Sequence, residues 1–201
     1  MRAESQAPPR RGRPGHSRES LLAGAVAVFE ERGFEATSMD DVAARLGVTK
    51  SALYHHVRGK NELLRLALDR ALDGLFAVTG EPGVRQGRAI DRLEHLVRGS
   101  VRVLAAELPF VTLLLRLRGN SDVERAALQR RREFDRFTGD LVRAAVAEGD
   151  VRADVDPALL GRLLFGTVNS LTEWYRPDGP LSADALADAV VAATFTGLRT
   201  G

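Results

Sequence analysis

The 201-residue sequence predicts an all-α protein, an N-terminal three-helix unit followed by a larger helical domain. Three observations lead there. Apolar residues recur at spacings of three and four along most of the chain, the period of helices with one buried stripe. No stretch alternates apolar and polar residues as a half-buried strand would. Glycines and prolines punctuate the periodic runs, with Ser, Thr or Asp at several run starts.

Residues 1–17 read as a flexible basic arm. Pro8, Pro9 and Pro14 discourage helix, while Arg2, Arg10, Arg11, Arg13 and His16 lie among small residues. Such an arm is either a solvated terminus or a segment that touches phosphates or a minor groove. Residues 18–62 form the first domain. Leu22, Ala25, Val26 and Phe29 make one stripe, closed by Gly33. Ser38 caps a second helix, with Asp40 and Asp41 in its electropositive first turn and Met39, Val42, Ala43 and Leu46 inward until Gly47. A third helix runs from about Thr49 to His56.

Residues 63–201 form the second domain, entered along a fourth helix that begins near Lys60 and carries Leu64, Leu68, Ala71, Leu72 and Leu75 on one side. A break at Gly80–Gly87 follows. Helices are then expected over Ala89–Glu107, Pro109–Arg118 and Val123–Glu148. Asp156 and Pro157 pair a cap with a first-turn proline, whose missing N–H costs nothing there, and open a helix to about Trp174. Ser182 caps the last, to about Leu198.

Composition excludes several functions. With no cysteine there are no disulfides or thiolate sites, and the four histidines have no metal-ligand spacing, so neither metal nor cofactor is expected. His95 is the only histidine beyond residue 62, which leaves no catalytic set. The longest uncharged runs hold ten residues, against the ~20 a membrane helix needs. No apolar leader follows Met1, so the expected compartment is the cytoplasm. The 29 basic and 27 acidic residues leave a net charge of +2, which rules out a protein that coats nucleic acid with its whole surface. The excess is local. Residues 1–62 hold ten basic and eight acidic groups, and Ala43–Asn61 contains no acid at all.

That acid-free segment carries the chemistry. Three short helices with glycine-containing joints match a helix-turn-helix, in which Val42, Leu46, Leu53 and Val57 bury against the first helix. The opposite face of the third helix holds Ser51, Tyr54, His55 and Arg58, with Thr49 and Lys50 at its N-terminal tip. It is polar and cationic, as a groove-reading face must be. Three-helix units also occur as ordinary packing, with Tyr54 or His56 as core.

The stretch LLAGAVAVFEERGFEATSMDDVAARLGVTKSALYHHVRGKNELLRLAL, Leu22–Leu68, resembles the DNA-binding domain of the TetR (tetracycline repressor) family of transcriptional regulators. Its marks are AVAVFEERGFEATSMDDVA, the recognition unit LGVTKSALYHHV, and GKNELL opening the fourth helix. Val57 departs from the phenylalanine of many members and makes a smaller plug. The resemblance implies that Thr37 and Ser38 contact or position phosphates, that Thr49, Lys50, Ser51, Ala52 and His55 face base edges, and that Tyr54 donates to a phosphate. Lys60 would clamp the backbone beside the fourth helix's N-terminus, Lys50 would reach guanine O6/N7, and His56 would turn inward.

The resemblance further implies a homodimer on a double-stranded DNA operator, paired through the last two long helices, with a small-molecule effector pocket in the second domain. Leu159, Leu163 and Gly166 in one helix and Val190, Val191 and Phe195 in the other are the expected dimer contacts. Phe110, Leu114, Phe134, Phe137, Asn169, Thr172 and Trp174 are the expected pocket lining, although plain core explains each as well. Arg116, Arg118, Arg130, Arg131, Arg132 and Arg136 are either a solvated helix face or a guanidinium supply for an anionic ligand. NSLTEWYRPDGPLS, Asn169–Ser182, also resembles the end of family regulators that sense acyl-coenzyme A esters. The expected function is a repressor of a palindromic operator, released by an acyl-CoA or another amphipathic anion. The alternatives are a regulator controlled by a protein partner, or an enzyme with an incidental helix-turn-helix.

Overall fold

The computed structural model describes residues 17–195, and these form ten α-helices with no strand among them. The basic arm, apart from Ser17, and the last helix beyond Phe195 lie outside the described residues. Helix α1 (Arg18–Arg32) is capped by Ser17, whose hydroxyl accepts from the Ser20 N–H. Helix α2 (Met39–Leu46) begins at Ser38 and stops at Gly47, which has φ +64, a left-handed turn that a Cβ would strain. Thr49 caps α3 (Lys50–Tyr54) by accepting from the Ala52 N–H at 3.2 Å. Leu53 and Val57 are sealed against the first two helices.

Helix α4 (Lys60–Thr79) leaves this trihelical unit and becomes the first wall of the second domain. The Gly80–Gly87 break contains one extra turn, α5 (Pro82–Arg85), because Pro82 presets the φ of a first helical position. Then come α6 (Ala89–Ala106), α7 (Leu108–Leu115) and α8 (Asp122–Ala147). Helix α9 (Pro157–Trp174) is capped by Asp156 as the sequence predicts. Helix α10 (Ala183–Phe195) starts beside Ser182, whose hydroxyl accepts from the Ala185 N–H. Helix α4 packs on α6, α7 and α8, α9 lies along α8, and α10 lies along α6.

Two polar ties fix α4 within the bundle. The Arg70 guanidinium donates to both Glu107 oxygens at 2.5 and 3.0 Å and to Glu19 at 3.3 Å, and it stacks over Phe110 at 4.5 Å. Arg130 reaches across from α8 to Asp69 at 3.0 Å and Asp73 at 2.6 Å. Close approach of α4 and α6 depends on Gly99, where an added Cβ would lie 2.3 Å from Val78 Cγ1. Gly99→Ala should therefore lower the urea midpoint of unfolding. Overpacking costs about 1–3 kcal/mol, and the helix-propensity gain of alanine, about 1 kcal/mol, only partly offsets it.

Candidate nucleic-acid interface and effector cavity

The tip of the helix-turn-helix is built from caps. The Ser38 hydroxyl donates to Asp41 Oδ2 at 2.6 Å and accepts from the Asp41 N–H at 3.2 Å, and the Ser38 N–H donates to the same carboxylate at 2.8 Å. These bonds, reinforced by Arg32, hold the Asp41 carboxyl below the usual range. Thr37 is 2 % exposed and its hydroxyl donates to the Gly33 carbonyl at 2.8 Å. Of the two roles expected for it, phosphate contact through the side chain is ruled out by burial, and positioning of the loop remains.

Thr49, Lys50, Ser51, Tyr54, His55 and Arg58 are all exposed on one side, and Ala52 is half-buried. Lys50 Nζ donates to Asp40 Oδ2 at 2.8 Å, and that bond holds its ammonium above its ordinary pKa. His56 is exposed, which corrects the inward assignment. Regular helix ends at Tyr54, so His56 no longer follows the α3 register and Val57 alone turns inward. Lys60 also departs from a simple phosphate clamp. Its Nζ donates to the Phe34 and Glu35 carbonyls, each at 3.0 Å, and lies 4.6 Å from the Phe34 ring centre. Two of its three N–H donors are thus engaged in tying the α1–α2 loop to α4.

The second domain encloses a cavity of about 40 Å3 between α4, α6, α7, α8 and α9. Leu114, Phe134 and Asn169 line it as the sequence predicts, together with Leu72, Leu104, Phe165, Val168, Arg131, Asp135 and Ser100. The other expected lining residues lie elsewhere. Phe110 is buried beneath Arg70, Phe137 sits under Arg85, and the Thr172 hydroxyl donates to the Asn169 carbonyl. Trp174 is 55 % exposed, because it ends α9 where no other helix covers it. Ser100 escaped the sequence reading, yet its signal was present: it interrupts the α6 stripe Leu93, Leu96, Val97, Leu104 at a core position. Its hydroxyl is buried and has no hydrogen-bond partner among the described residues.

The expected dimer contacts divide. Leu159 and Leu163 are 47 % and 59 % exposed, and Gly166 is exposed with them, so α9 carries an unpartnered apolar stripe. Val190, Val191 and Phe195 are buried within their own chain, chiefly because α10 lays that face on α6. They are core, and the exposed face of α10 carries Ala185, Ala189 and Ala193 instead.

A trihelical unit with an exposed, acid-free third helix, joined through a shared fourth helix to a helical domain with an internal cavity, defines a helix-turn-helix DNA-binding regulator. Residues 21–67 match the family described as bacterial regulatory proteins, tetR family, and residues 86–198 match the tetracyclin repressor-like C-terminal domain. The chain belongs to the TetR family of transcriptional regulators. It is similar in structure to a family member from Streptomyces coelicolor A3, at 53 % identity and a TM-score of 0.85, covering 92 % of this chain and 94 % of the other. It is also similar to the transcriptional repressor KstR2 of Mycobacterium tuberculosis, 28 % identical over 93 % of this chain and 95 % of that protein. The structure of the ketosteroid transcriptional regulator KstR2 superposes with a TM-score of 0.82, at 27 % identity and coverages of 93 % and 98 %. AibR, solved in complex with isovaleryl coenzyme A and operator DNA, is 25 % identical, with a TM-score of 0.71 and coverages of 88 % and 97 %.

Two outcomes follow from the lysines and the capping carboxylate. Lys60→Ala should lower the thermal midpoint, since it frees two carbonyls of the α1–α2 loop. Lys50→Ala should leave it nearly unchanged, because an exposed ion pair contributes about 0–1 kcal/mol. The Asp41 contribution is present above the ordinary aspartate pKa of about 3.9 and is lost as pH falls through its lowered folded value. An acid titration followed by circular dichroism should show that loss in the wild type and not in Asp41→Asn.

Proposed function

We propose that this chain acts in the cytoplasm as a homodimeric repressor that holds a palindromic operator and leaves it when an acyl-CoA ester or a similar amphipathic anion enters the second domain. The exposed face of α3 carries this reading. It offers hydroxyls, an imidazole and an ammonium without a carboxylate of its own, at the end of a helix narrow enough for a major groove. Lys50 exchanges Asp40 for a guanine edge, and Thr49, Ser51, Ala52 and His55 approach neighbouring bases. Ser38 and Tyr54 meet phosphates, and the remaining N–H of Lys60 adds a backbone contact.

The Leu159, Leu163, Gly166 and Trp174 stripe of α9, beside the small residues of α10, supports pairing of two copies through these helices. Such a pair sets two recognition helices about 34 Å apart, on successive turns of one DNA face. Ligand release follows if the bound state favours a different tilt of α4, because the ligand then has unequal affinity for the two arrangements. AibR, with its isovaleryl coenzyme A and operator DNA, supports the ligand class.

Footprinting on the protein's own promoter region, with and without acyl-CoA esters, tests this directly. Protection of a palindrome that disappears with an ester is the expected outcome, and protection insensitive to every ester would remove the effector class. Lys50→Ala should lose about 1–3 kcal/mol of base discrimination at one position of each half-site. Leu163→Glu should yield monomers in analytical ultracentrifugation and weaken operator binding at least about tenfold.

A further inference from the structure

The cavity that contains Ser100 has a neighbour. A surface groove of about 340 Å3 runs between α8 and α9, lined by Arg132, Arg136, Arg143 and Arg162, and its floor is kept low by Gly139 and Gly161. Asp135 and Phe165 line both spaces, so a single layer of side chains separates the apolar interior from the arginine groove. Among the described residues Arg132, Arg136 and Arg162 form no hydrogen bond or close ion pair, although Arg162 lies near enough to Asp135 to act on it electrostatically, whereas Arg143 is paired with Asp140. The groove lies on the side of α9 next to the proposed pairing stripe, since residues 158, 162 and 165 are turned about 100° from Leu159, Leu163 and Gly166.

Resting on the effector reading above, we propose that cavity and groove are two halves of one site for a short-chain acyl thioester with a phosphate-bearing head. The acyl group enters between Phe134 and Phe165, its carbonyl accepts from the Ser100 hydroxyl, and the phosphates lie on Arg132, Arg136 and Arg162. Three properties lead there. A hydroxyl buried without a partner in a cavity wall is costly unless something in the cavity bonds to it. Three guanidiniums within one groove, with no carboxylate hydrogen-bonded to them among the described residues, suit a multiply charged acceptor. The interior has room for only about three waters, which limits the acyl chain to a few carbons. Asp135 stands between the halves, where its carboxylate opposes an entering anion.

Calorimetric titration of the full-length protein with butyryl-CoA, decanoyl-CoA, free coenzyme A and butyrate distinguishes the parts. Butyryl-CoA should bind more tightly than the other three. Arg136→Ala/Arg162→Ala should weaken butyryl-CoA at least tenfold, with ligand-free operator binding and thermal midpoint unchanged. Asp135→Asn should tighten it. Ser100→Ala should weaken it about fivefold while leaving the free protein equally or more stable, a combination that a purely structural serine would not produce. Butyryl-CoA affinity unaltered in the arginine double variant would overturn the two-part site while leaving the effector class standing. Tighter binding of decanoyl-CoA would overturn the short-chain assignment. If no ester binds the wild type, the effector class of the proposed function falls, and this inference with it.

Discussion

Burial of α4 on several sides is the constraint from which the rest of the molecule follows. Leu63, Leu64, Ala67, Leu68, Ala71 and Leu72 are all essentially sealed, although they belong to one helix that begins in the trihelical unit and ends in the larger domain. No partial unpacking is cheap, because each exposed leucine costs on the order of 2 kcal/mol in transfer free energy alone. The helix therefore moves as a body or not at all. Arg70 adds direction to this apolar fit. Its fork is matched to both Glu107 oxygens, so the α6–α7 junction and α4 share one geometry, and Glu19 of α1 is drawn into the same cluster.

The position of α3 is consequently set by packing some distance from the DNA face. Leu53 and Val57 are buried, α3 packs on α2, α2 packs on α1, and α1 packs on α4 and α7. Lys60 closes the circuit at the other end by holding the Phe34 and Glu35 carbonyls against the first residue of α4. Its observed bonds are structural ones. A cation-to-carbonyl tie fixes where the α2 cap stands, and the cap in turn fixes the entry of the recognition unit. The helices that wall the cavity reach the trihelical unit through α4 and α7, both of which pack on α1.

The first domain was legible in the sequence because its signals are local. Ser38, Asp41, Gly47 and Thr49 each fix a helix end through a bond spanning three or four residues, and periodicity needs only one window. His56 was misplaced because a regular helix was extended two residues past its true end. In the second domain the ambiguity is of another kind. Helix α10 is apolar on more than one side, so periodicity cannot say which side meets its own core and which meets a partner. Val190, Val191 and Phe195 face the protein's own core, and Ala185 and Ala189 are exposed. The cavity was half legible for a similar reason. A phenylalanine in a core helix has the same pattern whether it faces a void or a neighbour, and only the polar interruption at Ser100 distinguishes a cavity wall from ordinary packing.

Arginine usage sharpens that distinction. All but two of the basic residues are arginine, and many of them serve structure: Arg70 and Arg130 clamp helices, Arg88 holds Asp150, Arg98 reaches Asp188 and Arg102 reaches Asp184. A guanidinium satisfied by carboxylates has little left to offer a ligand. Cationic composition on α8 is therefore uninformative until the pairing is known. Arg130 and Arg131 are adjacent in sequence, yet one is tied to α4 and the other borders the cavity. Arg132 and Arg136, one turn apart, face the groove with no carboxylate bonded to them, and Arg162 meets them from α9. Asp135, the acid among them, is exposed as a residue, yet desolvation of its carboxyl by the surrounding side chains pushes it above the usual range against the opposing pull of Arg131 and Arg162. Within the groove Arg132, Arg136 and Arg162 outnumber that single carboxylate, so an excess of positive charge remains there.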